Sequence, residues 1–270
     1  MNFNIEGSKP NTLKSEHLNS EFKPIIGGIY DRNNLDQQTD TLLDNFKKNG
    51  EFVNFVAKEK ELREVDLLNN GVETYVISPC DSLDKYSLSY LDCTGIVAVG
   101  ADKITGQNIS FMSHQNPEVF LRDESTKQKF KKDLSDTIDK LIASSVPDSV
   151  DVVIFGGQYE RQSHDMPDDN FRLGIDSIDD YTEGPYSLYL KSIKFLNFNL
   201  SKKLGFSPVV MTGPNDNFNS LNNTTSVYFD NENRRLHLVR PKQEVSKKNE
   251  PFVASNVEEQ IDRIKNNDAK

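Results

Sequence analysis

Apolar residues gather in two runs near the middle of the chain. Cys93-Thr-Gly-Ile-Val-Ala-Val-Gly-Ala101 is followed, after Asp102-Lys-Ile-Thr-Gly106, by Gln107-Asn-Ile-Ser-Phe-Met-Ser-His114. Two such runs across a Gly-containing connection predict a β-hairpin. Helical periodicity dominates the segments that follow. Over 124–144, Phe130, Leu134, Ile138, Leu141 and Ile142 fall on one stripe, with Lys and Asp opposite. A second helix is predicted over 187–203, with Leu188, Leu190, Ile193, Phe195, Leu196 and Leu200 inward and Gly205 as its cap. A shorter helix over 36–48 turns Leu42, Leu43 and Phe46 inward and stops at Asn49-Gly50.

Short β-rich runs fill the spaces between these helices. Strands are predicted within 24–30, over 51–57 and 72–78, at Asp151-Val-Val-Ile-Phe155 ahead of Gly156-Gly157, and over 207–212. A closing hairpin spans 225–230 and 234–239. The order of strands and helices predicts an α+β fold of mixed or antiparallel sheets packed with two main helices. Residues 1–71 read as an N-terminal extension, 72–241 as the main domain with an acidic insertion at 160–182, and 242–270 as a polar tail with a helix at 256–266.

Composition narrows the classes of function. The 270 residues carry a formal net charge of -10, which argues against a nucleic-acid binder, since such a protein needs a basic footprint. The 2 cysteines, Cys80 and Cys93, make no disulfide framework and suit a reducing compartment. The 4 histidines (His17, His114, His164 and His237) are scattered without metal-ligand spacing, so no metal is expected. The N-terminus lacks a basic and apolar leader, and no run approaches membrane-spanning length. The expectation is a protein without membrane insertion, cytoplasmic or exported without a Sec signal. Gly156-Gly157 reads as a turn and not a phosphate loop, because no GxxxxGK[ST] pattern follows. His237 alternates with Leu236 and Leu238 and is expected to face solvent.

The candidate chemistry lies in the first hairpin. Its arms are nearly equal in length, so folding brings the start of one strand, Cys93, beside the end of the other, His114. A thiol with an imidazole at hand is the minimum equipment of a cysteine nucleophile and its general base. Taken alone, Cys93 could equally be a small buried hydrophobe and His114 a capped polar residue.

The ordered series of pieces resembles the chemoreceptor glutamine deamidase (CheD) family, and its scaffold is similar to that of cytotoxic necrotizing factor-type toxin deamidases. The matching text is Tyr90-Leu-Asp-Cys93, Gly95-Ile-Val-Ala-Val99, Asp102, Gly106, His114 and Pro117. It continues through Val152-Val-Ile-Phe-Gly-Gly157, Leu204-Gly-Phe206, Pro208-Val-Val-Met211 and the 225–239 hairpin. The resemblance implies a CheD-like sandwich over 72–241 and a thiol amidohydrolase with no metal or organic cofactor. The implied partner is a protein substrate carrying a reactive glutamine. It also implies a hydroxyl six positions before the nucleophile; here that residue is Ser87, with Ser89 as the alternative. Where the family carries Gly before the nucleophile, this chain has Leu91 or Asp92. That departure leaves open a catalytically silent binding module. The extensions equally fit a translocated effector that deamidates a host protein.

Overall fold

The computed structural model describes residues 17–54, 75–90, 93–121, 124–159, 185–214, 224–240 and 252–254. The 160–182 insertion, the 256–266 helix, and Leu91 and Asp92 lie outside the described residues. The fold is α+β, with two mixed sheets packed face to face. One sheet has five strands: β1 (Ile26–Asp31), β10 (Arg235–Arg240), β9 (Thr225–Asp230), β4 (Lys85–Tyr90) and β2 (Glu51–Phe52), in that order. The other has six: β11 (Phe252–Ala254), β8 (Val209–Pro214), β7 (Asp151–Tyr159), β5 (Thr94–Ala101), β6 (Asn108–Gln115) and β3 (Tyr75–Ile77). Within the first sheet the β1–β10 and β2–β4 pairs are parallel, and within the second the β7–β8 pair is parallel.

Helices cover both outer faces. On the six-stranded sheet lie α3 (Glu124–Ser144) and α4 (Pro185–Leu204), preceded by the short α2 (Pro117–Phe120). Phe130, Leu134, Ile138 and Leu141 from α3 meet Tyr189, Ile193, Leu196 and Leu200 from α4 over Ile96, Ala98, Phe111, Val152, Ile154 and Val210. Ile142, placed on the inward stripe by periodicity, is half-exposed at the margin of this layer. On the five-stranded sheet α1 (Gln37–Asn49) sets Leu43 and Phe46 against Tyr228 and Val239. Asp36 caps α1 by accepting from Thr39 N at 2.6 Å. The inter-sheet layer holds Val97, Val99, Met112, Val153, Phe155, Met211, Val227, Phe229, Leu236 and Leu238. Every residue of β5 is buried, because this strand sits in mid-sheet with sheet on one face and helices on the other. Among the described residues, no helix is long and apolar enough to cross a membrane.

The chain outside 72–241 contributes to both sheets. β1 and α1 come from the segment read as an extension, and β11, in the segment read as a tail, pairs antiparallel with β8. Gly156 and Gly157 are strand positions within β7, not a turn. A Cβ on Gly156 would stand 2.2 Å from the Tyr189 hydroxyl, so the glycine admits the close approach of α4.

His237 corrects a further expectation. It is 1% exposed, with its ring 5.2 Å from that of Tyr30 and 5.9 Å from that of Phe46. Period-two alternation sends it to the outer face of the five-stranded sheet, but α1 covers that face. Burial pushes its pKa down to about 4, and burial pushes that of His114 down to about 3. Both lie below the value of an unfolded imidazole, so the unfolded chain takes up protons first. Stability is therefore full above about pH 6.5 and falls as pH drops toward these folded-state values. At pH 5 the His237 share of the loss is about 2 kcal/mol. Urea titrations at pH 7 and pH 5 should show a smaller loss for His237→Phe than for the wild type. Equal losses would contradict the burial of a neutral imidazole.

Candidate active site

Three elements bring Cys93, His114 and Ser87 to one end of the inter-sheet layer. The β5–β6 register pairs Thr94 with Gln115 and Gly95 with His114. Cys93, two residues before Gly95, shares the face of His114 and stands one diagonal step away. Cys93 O also accepts from Gly157 N at 3.0 Å, which fixes the entry of the chain into β5. Gly95 is required opposite the imidazole. A Cβ there would lie 2.4 Å from the Phe155 ring and 2.6 Å from Ser113 O. The turn that sets this register is built on Asp102, whose Oδ1 accepts from Ile104 N and Thr105 N, and on Gly106 at φ 72.

Ser87 arrives from the opposite sheet. Its Oγ lies 3.0 Å from His114 Nδ1, a buried hydrogen bond that crosses the inter-sheet layer. A β-bulge makes this possible. Ser87 pairs with Val227 and Tyr90 with Thr225, so β4 spends one residue more than β9 between the two pairs. The extra residue shifts the side-chain phase, and Ser87 and Tyr90 both turn inward. Ser89 occupies the bulge at φ 66 and is exposed, so Ser87 is the hydroxyl on the ring. Tyr90 stacks on His114 with centroids 3.7 Å apart and planes at 16°. Its hydroxyl donates to Ser113 O at 3.1 Å. The imidazole is thus held at Nδ1 by Ser87 and in its plane by Tyr90.

Burial governs the electrostatics. His114 is 1% exposed and Cys93 6%, and desolvation keeps the imidazole neutral down to about pH 3. A neutral imidazole can accept a proton, whereas a standing imidazolium–thiolate pair is disfavoured in so dry a layer. On the far side of β5, Thr94 Oγ1 lies 2.7 Å from Ser192 Oγ and accepts from Gln115 Nε2 at 3.2 Å; Gln115 Oε1 in turn accepts from Ser113 Oγ at 2.9 Å. This network ties α4 to the strand that begins after Cys93.

Cys80 is elsewhere. It packs against the α3 side of the six-stranded sheet, with Sγ 3.9 Å from Thr137 O, and burial pushes its thiol up to about 11. Sequence reasoning gave no role to Tyr90, whose signal is its place three residues after Ser87 across a bulge. Among the described residues, no cluster of three His, Cys, Asp or Glu side chains is placed to hold a metal ion.

No family model matches the chain, and no curated protein matches it.

Proposed function

We propose that the protein is a cysteine-dependent protein-glutamine deamidase. The observation that carries this reading is the Ser87–His114 hydrogen bond on the face that Cys93 shares. In this mechanism the His114 tautomer with Nδ1–H donates to Ser87 Oγ, and Nε2 serves the thiol. Nε2 takes the Cys93 proton as sulfur attacks the carboxamide carbon and the C–S bond forms. Collapse of the tetrahedral adduct breaks the C–N bond; the proton passes from His114 to nitrogen, and ammonia leaves. Water, deprotonated by His114, then hydrolyses the thioester to glutamate and restores the thiol. The acyl donor is a glutamine of a protein, and the family resemblance supplies that choice.

Ser87→Ala tests the arrangement. With wild-type protein in a cell lysate, glutamine-to-glutamate conversions should be readable by peptide mass spectrometry. Ser87→Ala should slow them by less than loss of the nucleophile does, since a positioning group contributes less than the group that forms the bond. Ser87→Thr keeps the hydroxyl and should retain activity. Full activity in Ser87→Ala would remove Ser87 from the site. Because His114 is neutral above about pH 3, activity should stay level from pH 8 down to the onset of acid unfolding.

The near-complete burial of both Cys93 and His114 favours a second reading, a binding module that keeps the fold without turnover. The same assay separates the two readings, because a silent module leaves the lysate unchanged.

A further inference from the structure

The helix-covered face of the six-stranded sheet is apolar over most of its area, paved by Ile96, Ala98, Phe111, Val152, Ile154 and Val210. At the end where Cys93 and His114 lie, the paving changes to Thr94, Ser113, Gln115 and, from α4, Ser192, each 0% exposed. Thr94 follows Cys93 and Gln115 follows His114, and the two are register partners across β5 and β6. Neighbouring side chains on a strand point to opposite faces, so this polar group stands behind the candidate site, on the other side of the sheet.

Hydrogen bonds join the four into one chain. Ser192 Oγ lies 2.7 Å from Thr94 Oγ1, which accepts from Gln115 Nε2 at 3.2 Å. Gln115 Oε1 accepts from Ser113 Oγ at 2.9 Å, and Ser113 Oγ accepts from Ile96 N at 3.1 Å. Ser113 also reaches the site face, because its carbonyl accepts from the hydroxyl of Tyr90, the ring stacked on His114. In so dry a core, apolar side chains of the same shape would hold the layers together about as well. What directional bonds add is orientation, since a fully connected buried network fixes rotamers and strand positions. Here it fixes the residue after the thiol and the residues on both sides of the imidazole.

We propose that Thr94, Gln115 and Ser192 are positioning residues, a clamp behind the sheet that sets the spacing and aim of the Cys93 thiol and the His114 ring. Ser192 anchors the clamp to α4, and Gln115 passes the restraint from β5 to β6. All three lie on the helix side of the six-stranded sheet, so they touch neither substrate nor the reacting atoms. The effect of the clamp on rate rests on the deamidase reading, whereas the geometry it sets exists without turnover.

Two readouts on the full-length protein test this. One is the rate of glutamine conversion in a cell lysate, read by peptide mass spectrometry. The other is the exchange with water of the His114 Nδ1 proton that Ser87 holds, followed by NMR and assigned by its absence from His114→Ala. Thr94→Val keeps the shape of the side chain and removes the hydroxyl. It should slow conversion by about a hundredfold, the effect of a misplacement of about 1 Å, and speed exchange of the imidazole proton, with the urea transition still cooperative. Gln115→Leu should move both readouts the same way. Thr94→Ser restores the hydroxyl and should bring both most of the way back. Should these variants fail to fold, Ser192→Ala removes a single oxygen and reads the clamp from the α4 side, with smaller changes in the same direction. Lower stability with an unmoved imidazole proton and undiminished conversion would make the network a packing feature and overturn the proposal, as would a Thr94→Ser protein no better than Thr94→Val. If the wild type converts no glutamine, the deamidase reading falls and proton exchange alone decides the clamp: faster exchange in Thr94→Val retains it, and unchanged exchange overturns it.

Discussion

Cys93→Ala is expected to abolish glutamine deamidation while leaving the fold intact. The thiol is the protein group that bonds to the acyl carbon in the proposed reaction, so no route through the thioester survives its removal. Cys93 is small and stands at the start of β5, so loss of one sulfur should cost no more than about 1 kcal/mol of stability. His114→Ala should lower turnover by about a hundred- to ten-thousand-fold, the usual share of a general base. The double variant should be no worse than Cys93→Ala alone, because the two groups act as a unit. Cys80→Ser is the control. Its thiol packs under α3 and stays protonated at any assay pH, so activity should persist. Rates, together with urea melts to show folding, read all four proteins. Equal loss in Cys80→Ser and Cys93→Ala would contradict the assignment of the nucleophile.

Tyr90→Ala carries the largest expected effect on stability. The ring is 0% exposed, stacked on His114 and set edge-on to Phe155 with centroids 5.4 Å apart. Removing a buried aromatic ring of this size costs about 3–5 kcal/mol through lost contacts and the cavity left behind. The same change frees the imidazole plane, so activity should fall even where the variant is folded. Tyr90→Phe keeps the ring and loses only the hydrogen bond to Ser113 O, which contributes about 1 kcal/mol. Urea unfolding should therefore separate the two variants widely. A Tyr90→Ala protein as stable as Tyr90→Phe would mean that the ring does not fill the layer between the sheets.

The hairpin was legible because continuous apolar runs and an Asp/Gly turn are local signals. They place Cys93 and His114 on one face before any tertiary contact is known. The boundaries of α3 were legible for the same reason. Ser87 was reached only through the family resemblance, since the polar/apolar alternation of Lys85-Tyr-Ser-Leu-Ser-Tyr90 makes Tyr86 and Leu88 the buried face and Ser87 a solvent-facing residue, whereas Tyr86 and Leu88 pack under α1 and Ser87 turns into the inter-sheet layer. Its pattern is broken by the bulge at Ser89 and by Lys85, which is buried against Glu51 and Asp81 instead of facing water. His237 was misplaced because alternation implies one wet face, and the helix that dries that face lies far away in sequence, at Gln37–Asn49. β1 pairs in parallel with a strand near the other end of the chain, a contact that no local pattern encodes.

The most direct test of the Cys93–His114–Ser87 site is deamidation in heavy-oxygen water. A cell lysate is incubated with wild-type protein or with Cys93→Ala, and its peptides are read by mass spectrometry. The expected result is a defined set of glutamines converted to glutamate, each carrying one solvent oxygen, with the wild type alone. A lysate unchanged by the wild type, or the same conversions with Cys93→Ala, would contradict a thioester route through Cys93.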